Sequence, residues 1–280
     1  MIHRSPHESF LRYRSFRWLK VAVLLVVASV AAYLWDNPLG GRRGDTPVGY
    51  ALGTLSALLM LWLTSFGVRK RRYHSAGAPL RGWLSAHVYL GTTLVVLVPL
   101  HCAFQFGWNV HTLAYVLMIG AIATGLVGLV FYGSVPEQIT QNRPGEKLSS
   151  LIRQVSEIDA DCLRLAGEMP DVFAGAVTIA IDQTRIGGGL VAQLRGRDPR
   201  CGTARALAIV QQHAREVRGP MRAQVDQLLE SLSRKDALLA RIRHDVQLKS
   251  LLDLWLIAHV PLAIAALAAV AVHVFVVFYW

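Results

Sequence analysis

Five long apolar blocks divide the chain, at about residues 18–35, 49–68, 83–105, 112–133 and 251–279. Each suffices to cross a hydrocarbon core roughly 30 Å thick as a helix, which takes about 20 residues. Between the fourth and fifth blocks the pattern changes. Over 134–250 apolar residues no longer run together but recur at helical spacing, as at Leu148, Leu151, Ile152, Val155, Ile158, Cys162 and Leu165. A second helix is expected from Thr203 to Arg218. A third follows Gly219-Pro220, with Val225, Leu228, Leu232, Leu239, Ile242 and Val246 on its apolar face. No breaker separates that helix from the fifth block, so the two can be one. Pro170 and Gly187-Gly188-Gly189 punctuate a middle part whose pattern predicts no element. The expected fold class is all-α: a five-helix transmembrane bundle with a mainly helical insertion. Residues 1–133 carry four spans, 134–250 the insertion, and 251–280 the span that completes the bundle.

Composition agrees, since 53% of the 280 residues are hydrophobic, more than a soluble domain usually carries. The net charge of +11 raises nucleic acid as a partner, but its placement argues against that. Arg4, Arg12, Arg14, Arg17 and Lys20 precede the first span, and Arg69, Lys70, Arg71, Arg72 and Arg81 lie between the second and third. Alternate ends are thus basic, as the positive-inside bias demands. This puts the N-terminus and the insertion in the cytoplasm and the C-terminus in the periplasm of a bacterial-type inner membrane. The lipid bilayer is then the first partner. The first block has a basic start and small residues Ser29, Ala31 and Ala32, like a signal peptide. Its apolar run continues to Trp35, which favours a retained anchor.

Four histidines interrupt the apolar blocks: His87 and His101 in the third, His259 and His273 in the fifth. Both pairs are fourteen residues apart, two heptads, so each pair faces one seam of a left-handed bundle. At 1.5 Å per residue the members stand about 21 Å apart along the axis, too far to share a metal ion. The charge pattern makes the two helices parallel, which sets His87 level with His259 and His101 level with His273. Ionisable residues inside a span are costly and mark functional sites. Two imidazoles alone make a poor zinc or copper site, which usually takes three or four protein ligands. A porphyrin supplies four nitrogens and needs only two axial ligands. The expected cofactors are therefore two b-type haems, with His87/His259 and His101/His273 as axial iron ligands. With both axial positions filled, electron transfer is the natural role, and no catalytic residue is assigned.

Small residues sit where a macrocycle needs room or where helices pack closely: Gly91, Gly120, Ala121, Ala123, Gly125, Gly128 and the alanines from Ala263 to Ala271. Arg81, Lys249 and the Arg69–Arg72 cluster inside, and Arg42, Arg43, Asn109 and His111 outside, are available for haem propionates, though topology also explains them. Trp83, Trp108 and Trp280 read as interfacial anchors. His3, His7, His74, His213 and His244 lie in polar segments and are expected to be solvated. The three cysteines, Cys102, Cys162 and Cys201, form no C-x-x-C-H motif, which excludes covalent haem attachment.

The segments His87-Val-Tyr-Leu-Gly91 through Pro99-Leu-His101, and His259-Val-Pro261 through His273, resemble the di-haem b-type membrane cytochromes. Cytochrome b of quinol-oxidising bc complexes and ferric-reductase-like domains share this pairing of histidines on parallel helices. The resemblance covers the membrane half and implies haem ligation by the four histidines. The chain departs from these families in lacking a Pro-Glu-Trp-Tyr motif, lacking a flavin or nicotinamide motif, and carrying its large insertion before the last span. What the resemblance implies is an electron-transfer subunit of an oxidoreductase complex. Its redox partners would be a quinone, a cytochrome c, or a cytoplasmic flavin or iron–sulfur protein, in a multi-subunit complex or an oligomer. A haem-based redox or ligand sensor acting through the insertion is one alternative, and a metal-ion transporter with histidines along its path is another. The spacing makes a direct prediction. His87→Ala and His259→Ala should abolish the same redox component, and His101→Ala and His273→Ala the other. Redox titration of the four variants checks this, and loss of one component by both His87→Ala and His273→Ala would refute the parallel arrangement.

Overall fold

The computed structural model describes residues 10–71, 80–142, 145–196 and 200–279. Arg4, Arg72, His3, His7, His74 and Trp280 lie outside the described residues. All regular secondary structure among the described residues is helical: a 3-10 turn Phe10–Arg12, α1 Tyr13–Trp35, α2 Pro47–Arg71, α3 Leu80–His101, α4 Val110–Asn142, α5 Leu148–Ala166, α6 Asp171–Asp182, α7 Leu190–Arg195, α8 Gly202–Ala214 and α9 Met221–Tyr279. Five of these, α1–α4 and α9, are long and apolar enough to cross a membrane. The chain is a multi-pass membrane protein.

The helices fall into two compact units, one formed by 1–128 with 256–280 and the other by 129–255. In the first unit α3 is the central element, packed against both α1 and α2. Nearly half of its apolar window (44%) is buried, against 11% in α1, whose outer face is left for lipid. The core joins all five helices through Ala22, Met60, Leu63, Ala86, Leu90, Leu94, Met118 and Ala266, with the Trp62 and Trp83 rings stacked at 4.8 Å. Trp83 is therefore engaged in packing, whereas Trp108 is fully exposed, as an interfacial anchor would be. Regular α1 begins near the expected residue 18, because Arg14, Ser15 and Phe16 adopt left-handed backbone.

Two helix ends differ from expectation. The third apolar block stops being helical at His101 rather than 105. Ala103 and Phe104 turn into the left-handed region (φ 49° and 61°), and Phe104 N–H returns to the Pro99 carbonyl at 2.9 Å. This closes the last turn in the way helix C-termini commonly do. Conversely α4 continues to Asn142, well past residue 133. Its end is held in the second unit, where the Arg241 guanidinium donates to the Asn142 carbonyl at 2.8 and 3.0 Å. The Asn142 amide in turn donates to Asp245 Oδ1 at 2.8 Å. Loss of hydropathy alone does not end a helix whose terminal carbonyl has a cationic partner.

The second unit is built on the expected amphipathic faces. Leu151, Val155, Ile158 and Cys162 of α5 meet Val225, Leu228, Leu232, Leu239 and Ile242 of α9, with Phe173 and Val177 of α6 and Ala206 and Val210 of α8 completing the core. Ile152 is a correction: its spacing placed it on this face, yet it is 41% exposed. The middle part, for which the pattern predicted nothing, forms α6 and α7. The α8 N-terminus approaches α6 so closely that a Cβ at Gly202 would lie 2.2 Å from the Ile179 carbonyl oxygen. His213 is also a correction. It is half-buried rather than solvated, bonded to the Ile209 carbonyl at 3.0 Å and set edge-on to Phe173. The final helix is a single element from Met221 to Tyr279.

A lysine is buried in this core. Lys235 has no exposed surface, and its Nζ donates to Asp159 Oδ1 at 2.5 Å and to the Ala180 carbonyl at 2.8 Å. The pair ties α9 to α5 and to the last turn of α6, where a carbonyl near the helix end welcomes a cation. Nearby, burial pushes the Cys162 thiol up to about 11, with Asp159 adding to the shift and Lys235 opposing it. Removing one partner of such a pair leaves an uncompensated buried charge, whereas replacing both with apolar groups is often neutral. Asp159→Ala should therefore destabilise the second unit by about 3–5 kcal/mol, and the double substitution Asp159→Leu/Lys235→Met should recover most of the loss. Thermal unfolding followed by circular dichroism in detergent measures both.

Candidate functional site

The four spaced histidines all belong to the first unit. His87 sits in the second turn of α3 and His101 is its last residue, while His259 and His273 lie on α9. The structure brings them together in two pairs. The His101 and His273 ring centroids are 6.1 Å apart, with the planes at 75°. His87 and His259 lie within electrostatic reach of each other. Because each pair joins the early residue of one helix with the early residue of the other, and late with late, α3 and this part of α9 run in the same direction.

Neighbouring elements hold three of the rings through Nδ1. His101 Nδ1 is 2.8 Å from the Gly49 carbonyl oxygen at the start of α2, which makes it the N–H donor. His259 Nδ1 is 2.9 Å from the Thr124 hydroxyl of α4. His273 Nδ1 is hydrogen-bonded to His111 Nδ1, the two ring centroids being 4.3 Å apart. His87 differs. It packs against the Phe66 ring at 5.1 Å and interacts with the Leu63 backbone, yet no partner meets hydrogen-bond geometry at its buried Nδ1. A bare ring nitrogen inside an apolar bundle costs about 1–3 kcal/mol.

Glycines set the space around the rings. A Cβ at Gly53 would fall 2.6 Å from His101 Cε1, and one at Gly44 would be 3.5 Å from the same atom. Gly125, one of the small residues marked in the fourth span, lies against His259 with 3.4 Å to Cε1. Gly120 instead accommodates Leu262, and Gly91 faces Leu63 at a looser 3.8 Å. Sequence reasoning missed Gly49, Gly53 and Thr124. The signal for the first two was present, since Gly49 and Gly53 form a G-x-x-x-G step that lets helices approach closely. Thr124 carried no signal, because a threonine in a span usually bonds its own helix.

The outer candidates for anionic groups find other work. Arg42 closes the end of α1 by donating to the Leu34 and Asp36 carbonyls and lies over the Tyr33 ring. Arg43 pairs with Asp45 at 3.3 Å. Asn109 caps α4, its Oδ1 accepting from Thr112 N–H at 3.0 Å. His111 joins the His101/His273 pair. Arg81 and Lys249 are exposed.

Among the described residues no group of three or more His, Cys, Asp or Glu side chains is disposed to hold a bare metal ion. A ligand that brings its own equatorial donors asks less of the protein. Two imidazoles bonded to one metal at about 2.0–2.1 Å, with a ring radius of about 1.2 Å, would have centroids about 6.4–6.6 Å apart. The 6.1 Å of His101 and His273 lies just below this range, whereas the 4.3 Å of His111 and His273 is much too short. Two imidazoles at nearly this spacing at the His101 level, and the approach of His87 to His259 at the other, suit a group that asks for two imidazole donors. No family model matches the chain, and no curated protein or solved structure is significantly similar to it.

The contact between Gly53 and His101 is testable without reference to any ligand. Gly53→Ala should push the His101 ring off the Gly49 carbonyl and destabilise the first unit by about 1–3 kcal/mol. Gly67→Ala on the same helix, with nothing within 4 Å of the new Cβ, should be neutral or slightly stabilising. Thermal unfolding of the two variants in one detergent separates them.

Proposed function

We propose that this chain is a di-haem b-type cytochrome subunit that carries electrons across a membrane. The observation supporting it most directly is the 6.1 Å spacing of the His101 and His273 rings, together with the approach of His87 to His259 two heptads away. In this reading His101 and His273 would hold one haem iron and His87 and His259 would hold the other. Each haem supplies a one-electron ferric/ferrous couple when bound.

The chain's own residues do the rest. Gly49 and Thr124 orient imidazoles of the two levels from α2 and α4, and Gly53 and Gly125 keep helix surfaces back from the rings. The levels stand about 21 Å apart along the axis, most of the way across a hydrocarbon core roughly 30 Å thick. With two histidines given to each haem, the group would supply electron transfer rather than oxygen or substrate chemistry. The basic residues Arg12, Arg14, Arg17, Lys20, Arg69, Lys70, Arg71 and Arg81 put the His87/His259 level on the cytoplasmic side of a bacterial-type inner membrane. Unit 129–255 then lies in the cytoplasm, where a flavin or iron–sulfur protein would meet it. A quinone or a periplasmic cytochrome c would serve the other end.

Purified full-length protein should contain two haem b per chain by pyridine haemochrome assay, with low-spin spectra in both oxidation states. Carbon monoxide should leave the reduced spectrum unchanged. A cofactor-free preparation that retains bound zinc or copper in fixed ratio would overturn the proposal in favour of metal transport.

A further inference from the structure

The Thr124 hydroxyl lies within hydrogen-bond distance of groups on two helices. Its Oγ1 lies 3.0 Å from the Gly120 carbonyl oxygen, 3.0 Å from the Ala121 carbonyl oxygen and 2.9 Å from His259 Nδ1. A hydroxyl has one proton to give and two lone pairs to accept with. Both carbonyls are acceptors only, so they compete for that proton. Were it turned toward His259 instead, two oxygen–oxygen contacts at 3.0 Å would have no hydrogen between them. The proton therefore belongs to the α4 carbonyls, and toward His259 the threonine oxygen can only accept.

That assignment has a consequence for the imidazole. A ring whose Nδ1 faces an acceptor carries its proton on Nδ1, and Nε2 keeps its lone pair. We infer that Thr124 is a positioning residue for His259, selecting the tautomer that presents Nε2 as the iron-ligating nitrogen. The inference rests on the di-haem reading and adds to it a residue outside the ligand set. At the other level a backbone carbonyl, that of Gly49, does the same for His101. At this level the paired His87 has no hydrogen bond on its Nδ1, and the His259 ring is held from α4 by the Thr124 hydroxyl together with the Ala121 backbone. Gly125, the next residue, lies against His259 Cε1, so one turn of α4 both bonds the ring and makes room for it.

Hydrogen bonding at the outer nitrogen also makes an axial imidazole a stronger donor, which favours ferric iron and lowers the potential. Thr124→Val keeps the shape and removes the acceptor, while Thr124→Ser keeps the acceptor. Purified full-length wild type and both variants are titrated potentiometrically, with electron paramagnetic resonance g-values recorded for each component. In Thr124→Val the component that is absent from His259→Ala should move to higher potential and change its g-values. Haem retention at that level should weaken by about 10-fold or more. The other component should stay put, and Thr124→Ser should restore wild-type values. Two unchanged components in Thr124→Val would overturn the inference and leave the di-haem reading standing. If Thr124→Val loses that haem entirely, Thr124→Ser decides: wild-type values support the inference, and equal loss overturns it. Wild-type protein without haem would overturn the parent reading instead.

Discussion

An imidazole inside a membrane bundle must have its ring nitrogens satisfied, because no water is present to do it. This constraint organises the first unit. Four histidines stand on two helices at one spacing, and α2 and α4 reach three of them with groups that meet a single ring nitrogen. The Gly49 carbonyl, the Thr124 hydroxyl and the His111 ring all meet Nδ1. Such agreement on one nitrogen is what a set of Nε2 ligands requires. It would be a coincidence among three unrelated interhelical contacts. The helix directions follow from the same geometry, since the level pairing of His87 with His259 and His101 with His273 requires α3 and α9 to be co-directional.

The second unit meets its own buried charge differently. Lys235 is enclosed, but a carboxylate and a helix-terminal carbonyl saturate it. Its chemistry is complete within the protein, and Cys162 beside it is held as an inert thiol. Unit 129–255 therefore resembles a structural core, with amphipathic faces from α5, α6, α8 and α9 closed around one ion pair. His87 Nδ1, by contrast, is buried without a hydrogen-bond partner.

Much of this was legible in the chain. Hydropathy located the five apolar helices, and the 3.6-residue period located α5, α8 and the first half of α9, because both signals are local. The histidine spacing was legible for the same reason: two heptads along one helix is a property of that helix alone. Errors came where a neighbour intervened. Arg241 prolonged α4, left-handed residues after Pro99 shortened α3, Phe173 drew His213 inward, and Ile152 turned out to face away. Asn109 and Arg42, available for an anionic ligand but already explained by topology, are committed to helix ends.

The sequence by itself determined that helices cross a membrane, which residues line their faces and that histidines recur at two depths. Only the tertiary structure decided which ring meets which, that Gly53 leaves room for His101, and that a hydroxyl on α4 faces His259. Periodicity reports what one helix presents, because it arises from the backbone of that helix. The partner of a buried nitrogen is set by the rotation and depth of a different helix, fixed only when side chains from all five pack together.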